Sequence, residues 1–265
     1  MVHEMHSARE VLQWHLDNGV DETIGEVPVD QFAAGVDAKK PRPTAASPTT
    51  NSQKARPVLA SSDEAVQLAE KLARDAADLD ALRAVMNSFE LCPLKATASK
   101  MVFGDGNPSA SIMFVGEAPG ADEDRQGLPF VGVSGQLLDR MIGSIGLDRN
   151  KAYITNVLPW RPPGNRKPTP AETVMCLPFI RRHIALVAPD ILVCVGGTSA
   201  QNLLSIKEGI TRSRGRWFDY DDNGRVVPTM AMFHPAYLLR SPALKRDAWN
   251  DLLTIRARLR ELSDA

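Results

Sequence analysis

Four carboxylates lie within eight residues of one another in the stretch VGEAPGADEDRQGLPFVGVSG, residues 115–135. Glu117 directly follows an apolar run, and Asp122, Glu123 and Asp124 come shortly after it. A carboxylate held beside a substrate can orient water or stabilise developing positive charge. We therefore predict a catalytic or binding site centred on Glu117, with Asp122 and Asp124 solvated or capping a helix.

Turn-forming residues surround this carboxylate. Glycines and prolines on both sides of Glu117 fix a backbone that a ligand can approach closely. Phe130 follows Pro129 in the same stretch and is predicted to lie on a turn. An aromatic ring on a turn beside a polar crevice can stack on a nucleic acid base, although Phe130 would also suit a core.

Two more candidate residues follow apolar runs. Asn156 ends the run YITN, where it suits either a turn or an amide that offers donor and acceptor together to a base edge. His234 lies in FHPAYLLR, and Pro235 turns the chain after it. We expect Leu238 and Leu239 to be exposed on this loop, as in proteins that insert apolar side chains into a base stack.

Alternating strands and helices must position these residues. Four apolar runs (SIMFVGEAP, AYITNVLPW, DILVCVGG and VVPTMAMFHP) alternate with helical patterns, which predicts a parallel sheet covered on both faces. Ligands of such sheets bind at the carboxyl ends of the strands. Glu117, Asn156, Gly196 and His234 each lie at or just past a predicted strand end, so we expect them to converge on one crevice.

The chain is expected to have three parts. Residues 1–33 include an amphipathic helix at 8–18, and residues 34–62 are rich in Pro, Ala, Ser and Thr, which indicates a flexible linker. Residues 63–265 form the compact catalytic domain, which begins with one long helix capped by Asp63. Three widely spaced cysteines, no apolar run of membrane-spanning length and no secretory signal predict a cytoplasmic protein without disulfides.

Basic residues concentrate in the second half of the chain. Residues 151–265 hold 17 Lys and Arg against 10 Asp and Glu, which favours a polyanionic partner. Arg161, Arg166 and Lys167 lie in the loop RPPGNRKPTP and are expected to bind phosphates, as are the cations of TRSRGR. The small-residue turns GVSG and GGTSA open helices, so Ser134 and Gly197 are candidate phosphate contacts.

These motifs carry a resemblance to a known family. The segments GEAPGADEDRQGLPFVGVSG, YITNVLPWRPPGNRKPTP, PDILVCVGGTSA and HPAYLLR look like successive motifs of the uracil-DNA glycosylase superfamily, most similar to its family-four, iron–sulfur branch. The resemblance runs from about residue 88 to 256. It implies a three-layer α/β/α sandwich around a four-stranded, mainly parallel sheet. It also implies an enzyme that flips uracil from DNA and hydrolyses the N-glycosidic bond.

The resemblance also assigns roles by position. Phe130 would stack on uracil, Asn156 would read its N3–H and O4 edge, and His234 would hydrogen-bond O2. Glu117 would orient or activate the attacking water. The HPAYLLR loop would fill the gap left by the flipped base. The remaining assigned positions would line the pocket or contact the DNA: Gly116, Ala118, Glu123, Leu238, Leu239 and Arg240.

The chain departs from the iron–sulfur pattern at two of four cysteine positions. The matching positions are Phe89, Cys92, Trp160 and Cys176, and two thiolates cannot hold a four-cysteine cluster. We therefore predict no iron–sulfur cluster and no other cofactor or metal, with the two aromatic residues filling the space. Cys194 is expected to belong to the core.

The leading hypothesis is thus a monofunctional uracil-DNA glycosylase of base excision repair. It would act as a monomer on uracil-containing DNA, associated with the nucleoid and not with a membrane. The alternatives are a glycosylase for hypoxanthine or xanthine, a non-catalytic DNA-binding protein that kept the fold, and an enzyme of small nucleotides. Salt-dependent binding to oligonucleotides would distinguish the DNA-binding hypotheses from an enzyme of small nucleotides.

Overall fold

The computed structural model describes residues 62–263 of the chain. The predicted N-terminal helix and almost all of the predicted linker lie outside the described residues. Nine α-helices are seen in this part of the chain: α1 (Ser62–Asp75), α2 (Leu79–Ser88), α3 (Ala121–Gln126), α4 (Val133–Gly143), α5 (Pro170–Val187), α6 (Gly197–Leu204), α7 (Ile210–Ser213), α8 (Pro235–Arg240) and α9 (Lys245–Ser263). Two 3-10 turns, Pro163–Asn165 and Pro242–Leu244, complete the helical elements.

Six strands form one sheet. They are β1 (Asp105–Gly106), β2 (Ile112–Gly116), β3 (Tyr153–Asn156), β4 (Ile191–Val195), β5 (Trp217–Asp222) and β6 (Arg225–Met232). Their order is β1-β3-β2-β4-β6-β5, and the four central strands are parallel. The predicted fold class is confirmed, with one addition: an antiparallel strand pairs at each edge of the four-stranded core.

Burial on both faces explains why the central strands are apolar throughout. Every residue of β2 and β4 is buried, as expected for a parallel sheet between two layers of helices. Alternate side chains point to opposite faces. Met113 and Leu192 pack in a cluster with residues of α1, α2 and α5, whereas Phe114 and Val193 pack with residues of α4, α8 and α9.

The first helix of the domain is shorter than predicted. Instead of one helix capped by Asp63, the chain forms α1 and α2 with a break between them. Asp78 causes the second helix to begin, because its carboxylate accepts a 2.8 Å hydrogen bond from the backbone N–H of Ala81. Asp63 lies in the first turn of α1. No helix among residues 62–263 is both long enough and apolar enough to span a membrane.

A buried histidine makes the stability of the domain depend on pH. His183 on α5 is 2% exposed, and its Nε2 lies 2.9 Å from the hydroxyl of Tyr153. Burial, with a smaller contribution from Arg83, lowers the pKa of His183 from 6.5 to about 3. The native state therefore holds this imidazole neutral at pH values where the unfolded chain protonates it.

Stability is consequently expected to fall on acidification. The contribution of His183 is complete above the unfolded pKa of 6.5 and is lost as the pH falls toward its folded pKa of about 3. The slope should be about 1.4 kcal/mol per pH unit within this window. Urea unfolding at several pH values would measure the slope. His183→Gln should reduce the slope by the contribution of one proton, about 1.4 kcal/mol per pH unit. An unchanged slope would contradict the assignment.

Candidate active site

The carboxyl ends of the parallel strands meet around one cleft. Gly116 at the end of β2 pairs in register with Asn156 at the end of β3, and Val195 of β4 pairs with Met232 of β6. A cleft of about 630 Å³ opens at this edge. Its lining includes ten residues singled out in the sequence: Glu117, Ala118, Glu123, Phe130, Ser134, Asn156, Arg166, Lys167, His234 and Arg240.

Three of the four strand-end residues expected to converge on one crevice line the cleft. Glu117, Asn156 and His234 line the cleft. Gly196 packs beneath it, since a Cβ atom on Gly196 would lie 3.2 Å from Cβ of His234. Gly196 has a φ of 101°, so a side chain there would be strained as well as crowded.

Asn156 and Phe130 both pack against the backbone of Gly116. A Cβ atom on this residue would come within 2.3 Å of Oδ1 of Asn156 and 2.6 Å of the Phe130 ring. Because Gly116 has no side chain, the Phe130 ring and the Asn156 amide can both lie against it. Asn156 and Phe130 are 6% and 5% exposed, which limits solvent access to both groups.

His234 presents a neutral imidazole. It caps α8, and its Nδ1 accepts a 3.1 Å hydrogen bond from the backbone N–H of Ala236. An accepting Nδ1 places the proton on Nε2. Burial and the positive charge of Arg240 lower the pKa of His234 to about 4, against the opposing effect of Glu123. The ring also stacks on Phe130, with centroids 5.6 Å apart.

The two glutamates of the motif differ in their partners. Among residues 62–263, no group is hydrogen-bonded to the Glu117 carboxylate, which is therefore available to a ligand. The Glu123 carboxylate accepts three backbone N–H bonds, from Gly120 at 3.1 Å and from Val131 and Gly132 at 2.9 Å each. Glu123 therefore lines the cleft while bracing the two loops on either side of it.

The neighbouring aspartates are not both solvated. Asp122 pairs with Arg125 on the surface. Asp124 is 3% exposed and accepts hydrogen bonds from the backbone N–H groups of Ser99 and Lys100, at 2.8 and 3.2 Å. The expectation for Asp124 was therefore wrong, because its carboxylate ties α3 to a distant loop.

Several predicted phosphate contacts already have partners within the protein. Arg166 forms a bidentate pair with Glu172, which lowers the pKa of that carboxyl to about 2. Arg161 donates to Asn165 at 2.8 Å and lies outside the cleft lining. Arg214 of TRSRGR is paired with the buried Asp251.

The remaining predicted contacts divide between the cleft and the core. Lys167, Arg240 and Ser134 line the cleft, whereas Gly197 packs near Ile210 and does not. The HPAYLLR segment forms helix α8 rather than a loop, so consecutive leucines point about 100° apart. Leu238 is 1% exposed, contrary to expectation, and Leu239 is 41% exposed.

Tyr237 is a cleft residue that the sequence analysis missed. It lines the cleft and is 36% exposed. The signal was present, because an aromatic residue stands between His234 and the two leucines in HPAYLLR.

Comparisons with known proteins agree with this geometry. Residues 103–253 match the model of the family described as "Uracil DNA glycosylase superfamily". The chain is 41% identical over 180 residues to a type-4 uracil-DNA glycosylase of Archaeoglobus fulgidus, covering 66% of this chain and 90% of that protein. It is 41% identical over 164 residues to the type-4 enzyme of Thermotoga maritima, covering 61% and 84%, and 38% identical over 184 residues to that of Sulfurisphaera tokodaii, covering 67% and 83%.

The comparisons overturn the prediction that the protein has no cofactor. The relatives are named type-4 uracil-DNA glycosylases, which is the branch whose resemblance implies an iron–sulfur cluster. Only two of the four matching positions carry thiols. Cys92 and Cys176 are buried within hydrogen-bonding reach of each other, and Phe89 and Trp160 are each 2% exposed. Residues 62–263 contain no group of three or more potential metal ligands, so this donor set does not fit a four-thiolate cluster.

The remaining cysteine stands apart from these positions. Cys194 is fully buried on β4, and burial raises the pKa of its thiol to about 12. The family match covers more than half of the chain, and the strand ends bring the motif residues of that match to one cleft. The chain therefore belongs to the uracil DNA glycosylase superfamily, in its type-4 branch.

Proposed function

We propose that the protein excises uracil from DNA by hydrolysing its N-glycosidic bond, leaving an abasic site for base excision repair. One observation carries this proposal: an unpaired carboxylate (Glu117), an amide (Asn156) and a neutral imidazole (His234) converge on the ring of Phe130 in one cleft. The names of the relatives support uracil as the base. They do not favour hypoxanthine, xanthine or a purely DNA-binding role.

Recognition of the base rests on Phe130 and Asn156. A base flipped into the cleft would stack on the aromatic ring and offer its Watson–Crick edge to the amide. The amide Oδ1 would accept from N3–H of uracil, and Nδ2 would donate to O4. Cytosine reverses this pattern of donor and acceptor, which would leave buried polar groups unpaired and so disfavour its binding.

Stabilisation of the leaving base falls to His234. When the C1′–N1 bond breaks, its electron pair leaves with uracil, and negative charge develops on O2. The Nε2–H of the neutral imidazole can donate to that oxygen, because Nδ1 is already engaged by Ala236. A fixed donor in a water-poor site stabilises such charge strongly.

Addition of water falls to Glu117. The sugar acquires positive charge as the base departs, and a carboxylate nearby stabilises it. Glu117 would also orient a water molecule and accept its proton as the oxygen bonds to C1′. Uracil would depart as an anion, and the proton that Glu117 accepted from water would pass through solvent to it. The products are then free uracil and an abasic site, with the Glu117 carboxylate regenerated.

DNA would be held at the mouth of the cleft. Lys167 and Arg240 offer positive charge for phosphates, and Ser134 lies in the first turn of α4, where backbone N–H groups favour anions. Tyr237 and Leu239 are exposed on α8 and suit the gap left in the base stack. We further propose that the protein acts as a monomer in the cytoplasm, where its DNA substrate would lie.

The test is a cleavage assay on labelled duplex and single-stranded oligonucleotides that contain one uracil. Alkali cleaves the strand at each abasic site, and matched oligonucleotides carry hypoxanthine, thymine or cytosine instead. We expect multiple turnover at uracil alone, with free uracil identified by mass spectrometry. Glu117→Gln prepared in parallel controls for contaminating glycosylases. Cleavage of no substrate by the wild-type protein, with salt-sensitive DNA binding retained, would overturn the proposal.

A further inference from the structure

We infer that Arg149 is a positioning residue that holds Phe130 in the orientation needed to stack on the base. This inference rests on the proposed uracil excision, since Phe130 matters through the base it contacts. Arg149 itself is not part of the cleft lining, and its side chain is 25% exposed behind the cleft. Its effect on the reaction must therefore pass through another residue.

Phe130 has an unusual backbone conformation. Its φ is 54°, in the left-handed region that costs a non-glycine residue about 1 kcal/mol or more. Such a conformation persists when surrounding contacts hold it in place. The direction of the ring depends on this backbone, so whatever fixes the backbone also fixes the stacking face.

Arg149 supplies those contacts through both ends of its guanidinium group. Nη1 donates to the carbonyl oxygen of Pro129 at 3.0 Å, and Nη2 donates to that of Phe130 at 2.5 Å. Two carboxylates hold the guanidinium in turn, since Nη1 lies 2.5 Å from Asp105 and Nε lies 3.0 Å from Asp139. Arg149 thus links two consecutive carbonyls of the turn to β1 and α4.

Gly135 confines the carbonyl of Phe130 as well. That carbonyl oxygen lies so close to Gly135 that a Cβ atom there would be 1.8 Å away. The ring packs against Gly116 and stacks on His234. A shift of the turn away from Arg149 would therefore move the ring relative to the groups that must contact the base.

Arg225 provides a matched control within the same chain. It donates to two consecutive carbonyls, those of Ala188 at 3.3 Å and Pro189 at 3.0 Å, and pairs with Asp222 at 2.9 Å. Ala188 also has a positive φ, 50°. This clamp precedes β4 and so lies at the opposite end of the sheet from the cleft. It repeats the structural part of the Arg149 arrangement without a base-contacting residue.

The experiment compares Arg149→Met with Arg225→Met in the uracil cleavage assay. We expect Arg149→Met to lower kcat/KM by about 10- to 100-fold, because misplacement of a reacting group by about 1 Å has effects of this size. Binding to DNA that already contains an abasic site should stay within about twofold of wild type, since no base is then stacked. Arg225→Met should retain wild-type kcat/KM even where its thermal stability falls.

A double-mutant cycle shows whether the effect passes through Phe130. In a Phe130→Ala background, Arg149→Met should lower kcat/KM by no more than about twofold further, because the ring it positions is gone. Independent, multiplicative losses would overturn the inference. So would wild-type kcat/KM in Arg149→Met, or an equal loss of kcat/KM in Arg225→Met.

Arg149→Lys keeps the experiment decisive where the methionine variant fails to fold. Lysine retains the positive charge beside the two aspartates but lacks the fork that reaches two carbonyls at once. We expect a folded protein with kcat/KM reduced by about tenfold, and wild-type kcat/KM would overturn the inference. An inactive wild-type protein would instead remove the proposed function, and this inference with it, so the two failures are distinguishable.

Discussion

Glu117→Gln is expected to lower kcat for uracil excision by about 10²-fold or more, with KM changed by no more than about twofold. The amide has nearly the same shape as the carboxylate but cannot accept the proton of water or balance positive charge on the sugar. The Glu117 carboxylate makes no hydrogen bond within residues 62–263, so the substitution should leave the fold intact. Single-turnover kinetics on a uracil oligonucleotide would isolate the chemical step.

The matched control for this prediction is Glu208→Gln. Glu208 is an exposed glutamate that pairs with Arg216 and is not part of the cleft lining. It should cleave uracil DNA at the wild-type rate. A Glu117→Gln enzyme with wild-type kcat would show that the carboxylate neither orients water nor stabilises the sugar.

His234→Ala is expected to reduce kcat by about 10²- to 10³-fold, the usual cost of removing one donor to a developing oxyanion. The donor is the Nε2–H of a neutral ring, since Nδ1 accepts from Ala236. Alanine also removes the acceptor that caps α8. His234→Asn offers a second variant, because a side-chain oxygen can still cap the helix. It should fold like wild type yet remain impaired.

The pH dependence gives an independent check on His234. Because burial and Arg240 hold its pKa at about 4, the ring stays neutral well below the pH at which an ordinary histidine is protonated. Protonation of His234 should therefore cause no loss of kcat/KM between about pH 8 and pH 5, after correction for the folded fraction. An acid limb near the ordinary histidine pKa of 6.5 that disappears in His234→Asn would contradict this assignment.

The parts of the fold that follow from local pattern were predictable. The buried runs of β2 and β4 and the strand-end positions of Glu117, Asn156 and His234 all follow from apolar continuity and the rule that ligands bind at strand ends. The edge strands were not predictable in this way. β1 is two residues long, and β5 reads WFDYDD, whose aspartates are unfavourable in strands.

The partners of charged residues could not be predicted from the sequence, because pairing depends on distances in the folded chain. Arg166 was predicted to bind phosphate, but in the folded chain it pairs with Glu172 at the start of α5. The same limit hid Arg149, whose contacts with Phe130 and Asp105 join residues 19 and 44 positions apart. The burial of Leu238 was missed for a different reason. Its segment forms a helix, and a shift of one position on a helix exchanges an inward for an outward side chain.

Gly116 and Asn156 lie side by side on paired strands. This pairing makes the choice of base less tolerant of sequence change than the binding of phosphates. The amide that discriminates between bases belongs to Asn156, on a strand that cannot move away from β2 without breaking the sheet. The groups that would meet phosphates, Lys167 and Arg240, lie on a loop and on a short helix. Variation in the grip on DNA can therefore accumulate without altering the choice of base, so that affinity and selectivity can evolve separately.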